Sequence, residues 1–347
     1  MKILSFSRLL IVLSVIILLN TACSKQNDYV EEMPDTKENP FQIEGGETIM
    51  GALSHGFFDP KINDSGEMIP LIYSGGELKI DYIVNASGKA KNIGFLVFID
   101  GLPQPYKVDE EKSYEFLHVL DIEEDNKDIP LTFMFTPITG KKGDTLSISI
   151  TSIYYPSFIP DIKETSSYGN YHSTLEVVSS LFFRQDPNTN VFSEIEKSQF
   201  LNNVSVYNEP LTKEILDKEL TDLNRLEHSV FTHVDIENKG NKENAENIQI
   251  NDDSSLSVKF KIFGHPKVRY RNTFYINHKP VLNKEESTFE TELADGSMSI
   301  VEVNIDVKNL EDFNTFYVVS VPINASDFPD EVIDLEKTPS ILLYKNL

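Results

Sequence analysis

The feature that most constrains the fold of this chain is an alternation of apolar and polar residues with a period of two. It recurs in short runs from Gly45 onward, and clear cases are residues 78–85, 131–136 and 146–151. Alternation of this kind places one face of a strand on a core and the other in water, as antiparallel sheets do. Turn sequences such as Asp100-Gly101 separate the runs. Many short strands at this spacing predict an all-β sandwich rather than a β-α-β fold.

The pattern of strands and turns occurs twice along the chain. Residues 78–82 are echoed by residues 256–260, residues 98–103 by 275–280, and residues 148–161 by 317–330, in the same order. Shared turns between any two sandwiches would explain part of this similarity. The matching ends, Ser157 to Asp161 and Ser326 to Asp330, favour a tandem repeat.

We therefore predict two tandem antiparallel β-sandwiches, covering residues 45–185 and 211–347, joined by a polar linker over residues 186–210. The layout is similar to the tandem immunoglobulin-like domains of bacterial surface proteins. One short helix is predicted near the start of the second domain, because Thr212 is a suitable N-cap for residues 212–226. An apolar stripe follows it at helical spacing, formed by Ile215, Leu216, Leu220, Leu223 and Leu226.

Composition limits the partners and the stabilising chemistry of this chain. The formal net charge of −24 repels nucleic acid, so a nucleic-acid partner is not expected. Cys23 is the single cysteine, and therefore no disulfide forms within the chain. Stability must come from packed apolar cores, for which 40% hydrophobic residues are sufficient.

The first 23 residues have the layout of a secretory signal. Lys2 and Arg8 are followed by an apolar run over residues 9–19, and small residues precede Cys23. A cysteine directly after the cleavage site resembles the lipobox of bacterial lipoproteins. The resemblance implies that residues 1–22 are removed, that Cys23 is lipidated, and that the protein is held at the extracytoplasmic face of the bacterial cell membrane. Two acyl chains are needed for stable anchoring.

Two alternatives to the lipoprotein interpretation stay open. An uncleaved membrane helix needs about twenty apolar residues, whereas the run over residues 9–19 is shorter and Arg8 interrupts its extension. A plain secretory signal would leave Cys23 as an exposed thiol. After Cys23, residues 24–44 are polar, acidic and interrupted by prolines. We predict that residues 23–44 form the lipidated cysteine and a disordered acidic tether.

Motifs for catalysis and cofactor binding are missing from the sequence. It contains no G-x-S-x-G elbow, no serine followed three residues later by lysine, no G-x-G-x-x-G sequence and no P-loop. We predict that the protein is not an enzyme and binds no cofactor. An enzyme with a scattered site is the least favoured alternative.

Two sets of residues have the side chains of metal ligands. His228 and His233 lie five residues apart across a predicted strand, which would direct the two rings to opposite faces. Residues 121–128 form an acidic run that is a weak calcium candidate but departs from the EF-hand template. The carboxylates of this acidic run are Asp121, Glu123, Asp125 and Asp128. A solvated acidic loop is the favoured interpretation, and no metal site is predicted.

Two further clusters carry interaction hypotheses. The first is an aromatic loop predicted to bind a ligand by stacking, or else to fold back as a satellite core; its residues are Tyr154, Tyr155, Phe158, Tyr168 and Tyr171. The second is basic and is predicted to be the wet face of a hairpin, or a docking site for an acidic partner or for the first domain; its residues are Lys259, Lys261, Lys267, Arg269 and Arg271.

The function predicted from the sequence is a lipid-anchored, extracytoplasmic, non-catalytic binding or assembly module with a protein partner. The alternative is a surface lipoprotein that binds a carbohydrate or another solute through the aromatic loop.

Overall fold

A computed structural model describes residues 51–158, 172–188, 201–218, 226–238, 241–243, 247–251, 255–281 and 288–345. The predicted signal peptide, lipidated Cys23 and tether lie outside these residues. Both sandwiches belong to one compact unit, Pro40–Leu347. Within the described part of the chain, no helix has the length and apolar character needed to cross a membrane.

Within the described residues, the first sandwich has ten strands. They are β1 (Ala52–Phe57), β2 (Leu71–Tyr73), β3 (Leu78–Ser87), β4 (Asn92–Ile99), β5 (Leu102–Pro103), β6 (Lys107–Val108), β7 (His118–Asp121), β8 (Ile129–Phe135), β9 (Thr145–Tyr154) and β10 (Thr174–Phe183). One sheet has the order β1-β3-β8-β6 and the other β2-β10-β9-β4-β5, with β7 paired to β4. β2 and β10 are parallel, and the other pairs are antiparallel.

This order is the immunoglobulin-like arrangement, in which strands A, B, E and D form one sheet and strands C, F and G form the other. The period-two pattern explains how the two sheets enclose a core. In β3, Leu78, Ile80, Tyr82 and Val84 are buried while the intervening side chains are exposed or half-buried. The Tyr82 ring packs edge-on against Phe133, with their centroids 5.2 Å apart.

The second sandwich repeats the plan, with twelve strands in the part that the structure describes. They are β11 (Leu201–Pro210), β12 (Val230–Asn238), β13 (Asn241–Glu243), β14 (Asn247–Ile250), β15 (Ser255–Gly264), β16 (Arg269–Ile276), β17 (Lys279–Pro280), β18 (Phe289–Glu292), β19 (Ser297–Asp306), β20 (Phe313–Pro322), β21 (Glu336–Lys337) and β22 (Ile341–Lys345). The sheets have the orders β11-β19-β15-β12-β13 and β14-β22-β20-β16-β17, with β18 paired to β16 and β21 to β20. β14 runs parallel to β22, as β2 does to β10.

The repeated sequence segments fall on equivalent strands of the two sandwiches. Residues 78–82 lie in β3 and residues 256–260 in β15, while residues 98–103 and 275–280 form the β4–β5 and β16–β17 hairpins. In both hairpins the two central residues have positive φ, at Asp100 and Gly101 in the first and at Asn277 and His278 in the second. That is the backbone of a type I′ turn, whose twist matches that of the flanking strands. The prediction of two tandem immunoglobulin-like β-sandwiches is confirmed.

The predicted linker over residues 186–210 is wrong in its second half. Leu201–Pro210 form β11, which pairs antiparallel with β19 along its length. β11 takes the sheet position next to β19 that β6 takes next to β8 in the first sandwich. Most of its side chains are exposed or half-buried because it lies at the edge of the sheet. Its composition therefore resembles that of a loop.

The helix predicted over residues 212–226 is described in its first part and at its last residue, and residues 219–225 lie outside the described residues. Helix α1 covers Lys213–Lys218, and a 3₁₀ turn covers Leu226–His228. The Thr212 hydroxyl accepts a hydrogen bond from the Ile215 backbone N–H at 3.4 Å, as expected of an N-cap. Ile215 and Leu216 pack against a buried group on the second sandwich formed by Leu226, Phe263, Met298 and Ile300.

Candidate functional site

The outer faces of two sheets pack against each other where the sandwiches meet. From the first sandwich, β4 and β9 contribute Leu96, Phe98 and Ile153; from the second, the buried side chains are Tyr275, Tyr317, Val319, Val321 and Leu335. The rings of Tyr275 and Tyr317 are stacked, with centroids 5.0 Å apart and planes at 9°. We call this surface the junction. It buries strands β4, β9, β16 and β20 on both of their faces.

The two type I′ turns both reach across the junction. Asp100 of the first turn accepts a hydrogen bond from Arg271 Nη1 on β16, with the carboxylate Oδ2 2.6 Å away. His278 of the second turn donates or accepts through Nδ1 with the Tyr317 hydroxyl at 3.1 Å, and its Nε2 lies 2.9 Å from the Pro156 carbonyl oxygen. Because a carbonyl oxygen only accepts, Nε2 carries the proton and Nδ1 accepts from Tyr317 when the ring is neutral.

Lys337 places an ammonium group inside the junction. Its Nζ lies 4.5 Å from the centroid of the Tyr317 ring and donates to Thr338 O at 3.0 Å and to Ser340 Oγ at 3.1 Å. Burial lowers the pKa of Lys337 to about 7 because the charged form loses its hydration. The cation–π contact and the two oxygen acceptors compensate part of that loss.

His172 and His278 are the imidazole neighbours of this ammonium group. The His172 Nδ1 lies 2.8 Å from Ser340 Oγ, and the His172 and His278 rings are 5.8 Å apart. Burial lowers the pKa of His172 well below its ordinary value and that of His278 to about 4, with Lys337 acting in the same direction. Both rings are therefore neutral near pH 7.

Two carboxyl groups lie on the same surface. Glu176 on β10 accepts a hydrogen bond from the Leu335 backbone N–H at 3.0 Å and another from the Ser149 hydroxyl. Burial raises the pKa of Glu176, and burial with neighbouring carboxylates raises the pKa of Glu336 to about 7. Glu176, His278 and Arg271 each make a hydrogen bond from one sandwich to the other. The junction is therefore held by polar contacts as well as by apolar packing.

The predicted aromatic loop begins beside the junction. Tyr154 is half-buried and packs on the first core, and Tyr155 is half-buried with φ of 48° and its ring centroid 4.7 Å from that of Tyr154. Phe158 is also half-buried. Tyr168 and Tyr171 lie outside the described residues. Tyr154 thus belongs to the main core of the first sandwich, and both the satellite core and ligand binding by the loop stay predictions.

The acidic run is an exposed loop whose side chains have separate partners. Asp121 accepts from Asn92, Asp125 from Lys91 and Asp128 from Asn85, while Glu123 is exposed. Among the described residues, these four carboxylates do not form a group of three within ligand distance of one another. The solvated-loop interpretation describes this arrangement better than the calcium hypothesis.

The basic cluster is divided between two roles. Lys261 pairs with Asp235 at 2.7 Å and Lys259 with Glu302 at 3.6 Å, both inside the second sandwich. Arg271 instead pairs with Asp100 of the first sandwich as well as with Glu290 of its own. The hypothesis of a docking site for the first domain therefore applies to Arg271. The wet-face interpretation fits Lys259, which is half-exposed, but not Lys261, whose side chain is 15% exposed beside the buried Asp235.

The described residues contain two groups of potential metal ligands that the sequence does not predict. His228, His265 and Glu331 bring one ligand atom each within 4.8 Å of one another, and so do Glu111, Glu115 and His118. His233, the other histidine considered in the sequence, instead lies with Nε2 3.1 Å from Asp235 Oδ1. The first group is assembled from three loops far apart in sequence, so no spacing motif signals it.

The chain matches no protein-family model, and no curated protein matches it. It is similar to the solved N-terminal Ig1-2 module of the Drosophila receptor protein tyrosine phosphatase DLAR. The identity is 10%, the match covers 84% of this chain and 99% of that chain, and the TM-score is 0.19. The immunoglobulin-like assignment rests on the strand order of the two sandwiches.

Proposed function

We propose that this protein is a lipid-anchored, extracytoplasmic, non-catalytic module that binds a protein partner. The observation that carries the proposal is the junction, where Arg271, His278 and Glu176 bond from one sandwich to the other. When the two sandwiches are fixed in one arrangement, the sheets away from the junction and the end loops lie at a constant separation. Such preorganisation lowers the entropic cost of binding a partner that contacts both.

The membrane location is supported by the sequence of the N-terminal segment. A positive start, a short apolar run and small residues precede the sole cysteine, Cys23. The acidic stretch that follows would hold the sandwiches close to the membrane surface while leaving them free to reach a partner. The net charge of −24 favours a partner that is not strongly acidic.

Photo-cross-linking in intact cells tests the binding role. A photoreactive residue is placed at exposed apolar positions, such as Phe58, Val178 and Val206. We expect a discrete cross-linked protein from at least one position after irradiation. The yield should fall in an Arg271→Ala background, which loosens the junction, and should be unchanged by Arg269→Ala, which alters an exposed arginine on the same strand.

Three results would contradict the binding role. The first is the absence of any cross-linked product at all positions. The second is a hydrolase turnover of the purified protein that one substitution abolishes. The third is binding of a polysaccharide that Tyr155→Ala removes, which would support the carbohydrate alternative instead.

The anchor is tested separately with Cys23→Ala. We expect the variant to be released from the membrane or to remain unprocessed, and mass spectrometry of the native protein to find acyl chains on Cys23. Normal processing with unchanged membrane retention of the variant would refute lipidation without affecting the binding role.

A further inference from the structure

Three loops meet at one end of the second sandwich. His228 ends the 3₁₀ turn that precedes β12, His265 follows β15 directly, and Glu331 follows β20. The start of β12 pairs with the end of β15, at Val230 and Gly264, which places His228 beside His265. The start of β16 pairs with the end of β20, at Tyr270 and Pro322, which brings the Glu331 loop to the same end.

One carboxylate oxygen lies between two imidazoles. Glu331 Oε2 is 2.9 Å from His228 Nδ1 and 2.8 Å from His265 Nε2. Each residue thus offers one nitrogen or oxygen atom toward a common point. Two imidazoles and one carboxylate with an open fourth position form a ligand set that Zn²⁺ takes in proteins.

The other ring nitrogen of His265 determines its tautomer. Nδ1 lies 3.1 Å from the Pro266 carbonyl oxygen, which only accepts, so Nδ1 carries a proton. In a neutral ring the lone pair of Nε2 then points at the Glu331 oxygen. Nε2 is therefore the nitrogen that a metal ion beside Glu331 would bind, whereas in a protonated ring it donates to Glu331 instead. Histidine ligands of metals usually donate their second N–H to a backbone carbonyl or a carboxylate in this way.

His265 is held in place before any ion arrives. Its side chain is 7% exposed, its ring packs edge-on against Phe328 with centroids 4.7 Å apart, and its backbone N–H donates to Ser229 O at 3.0 Å. His228 is 73% exposed and covers the site from the solvent side. A fixed inner ligand with a movable outer ligand leaves a path for an ion and room for water in the fourth position.

The geometry requires a small adjustment to hold an ion. Two ligand atoms bound to one tetrahedral Zn²⁺ at about 2.0–2.1 Å are about 3.3 Å apart. The nitrogens must therefore move away from the Glu331 oxygen by about half an ångström. The exposed His228 side chain can rotate by that amount, and Glu331 is in a loop.

We propose that His228, His265 and Glu331 form a binding site for Zn²⁺, with water as the fourth ligand. The second group, Glu111, Glu115 and His118, has one imidazole and two carboxylates, and it lacks a second nitrogen ligand. Zn²⁺ prefers nitrogen ligands over a set of this kind. The site is independent of the proposed function, because a zinc site at a sandwich end serves stability or binding equally.

Zinc titration of the purified full chain tests the proposal. The metal-free protein is titrated with Zn²⁺ in competition with a chromogenic chelator, and we expect one ion per chain at micromolar affinity or tighter. His265→Ala and Glu331→Gln should each weaken binding by about tenfold or more. His233→Ala is the matched control, because it removes an imidazole that also lies against a carboxylate in the same sandwich; its affinity should equal that of the wild type.

Two measurements separate ligand loss from misfolding. His228→Ala changes an exposed side chain, so it should keep the far-ultraviolet circular dichroism and the melting temperature of the metal-free wild type while losing affinity. Excess Zn²⁺ should raise the melting temperature of the wild type and of His233→Ala but not of the ligand variants. Wild-type protein that binds no Zn²⁺ below millimolar concentration, or a His228→Ala variant with unchanged affinity, would overturn the proposal. Weakening by His118→Ala alone would assign the ion to the other group and would also overturn it.

Discussion

Arg271 on β16 of the second sandwich pairs with Asp100 in the β4–β5 turn of the first sandwich, with Nη1 2.6 Å from Oδ2. The same guanidinium donates to Glu290 through Nε at 2.9 Å. Both side chains of the Arg271–Asp100 pair are mostly buried, 19% and 24% exposed. Neither charge of the pair is therefore well hydrated. Removing one partner leaves the other charge buried without compensation, which is unfavourable.

Arg271→Ala is expected to lower the free energy of unfolding by about 1–3 kcal/mol. Loss of the guanidinium leaves Asp100 without its cationic partner and removes the contacts of the side-chain methylenes with the first sandwich. Urea denaturation at pH 7 measures the change. Arg269→Ala, on the same strand but exposed, should stay within about 0.5 kcal/mol of the wild type. Equal stability of Arg271→Ala and the wild type would show that the pair contributes nothing to the junction.

His278 has φ of 62° in a turn where glycine is favoured. His278→Gly relieves the backbone strain but loses the bonds to Tyr317 and Pro156, whereas His278→Ala loses those bonds and keeps the strain. We expect both variants to be less stable than the wild type, with the alanine variant lower than the glycine variant by about 1 kcal/mol. Thermal unfolding of the three proteins gives the order. A glycine variant more stable than the wild type would mean that the ring contributes less than the strain costs.

The stability should also depend on pH through this ring. Burial lowers the pKa of His278 to about 4, below its ordinary value of 6.5, so the folded state binds fewer protons than the unfolded state between these values. The stabilising contribution is therefore full above about pH 6.5 and is lost as the pH falls toward 4. One pKa unit corresponds to about 1.4 kcal/mol, which predicts a loss on the order of 3 kcal/mol for this group.

Comparison of the wild type with His278→Gly isolates this effect from other titrating groups. Glu336 acts in the opposite direction, because its pKa is raised to about 7 and its protonation in the folded state adds stability as the pH falls from 7 to 4.5. Urea midpoints at pH 7.0, 5.5 and 4.5 should therefore converge between the two proteins on acidification. A stability difference that does not change with pH would exclude His278 as the source.

Gly264 precedes His265 and has φ of 132°, which side chains rarely adopt. A Cβ there would press on the Ser229 carbonyl oxygen and lie 2.9 Å from Val230 Cα, both of them backbone atoms that do not rotate away. Gly264→Ala is expected to lower the free energy of unfolding by about 2–4 kcal/mol. Gly296→Ala is the matched control: φ is 64° but nothing lies within 4 Å of its Cβ, so about 1 kcal/mol is expected. Chemical denaturation of both variants measures the difference, and similar losses would show that the close approach relaxes.

Strands with one face on a core and the other in water are predictable from the sequence. Edge strands and strands buried on both faces are harder to find. In β3 apolar and polar residues alternate, so residues 78–84 indicate directly which face of the strand is buried. β11 has no such alternation, since an edge strand with exposed side chains resembles a loop. The pairing of Leu201–Pro210 with β19 depends on a partner nearly a hundred residues away, which local composition does not encode.

The junction left a weaker trace in the sequence. β4 and β16 are buried on both faces, which turns alternation into continuous apolar runs such as Phe95 to Ile99. Such a run is also compatible with any central strand, and it does not name the surface that covers it. The group of His228, His265 and Glu331 is still harder to predict from the sequence. His228, His265 and Glu331 come together only because strand register aligns three loops, and the rule that five-residue spacing separates His228 from His233 said nothing about His265.

The parallel pairing of β14 with β22 has a consequence for the order of events during synthesis. Asn247–Ile250 align with Leu342–Lys345, so β14 receives its neighbour only after nearly a hundred further residues have been made. Closure of that sheet edge is thus a late step with a high entropic cost. Until those residues are made, the edge of β14 stays unpaired and open to aggregation, and a chaperone bound to the nascent chain would protect it during that interval.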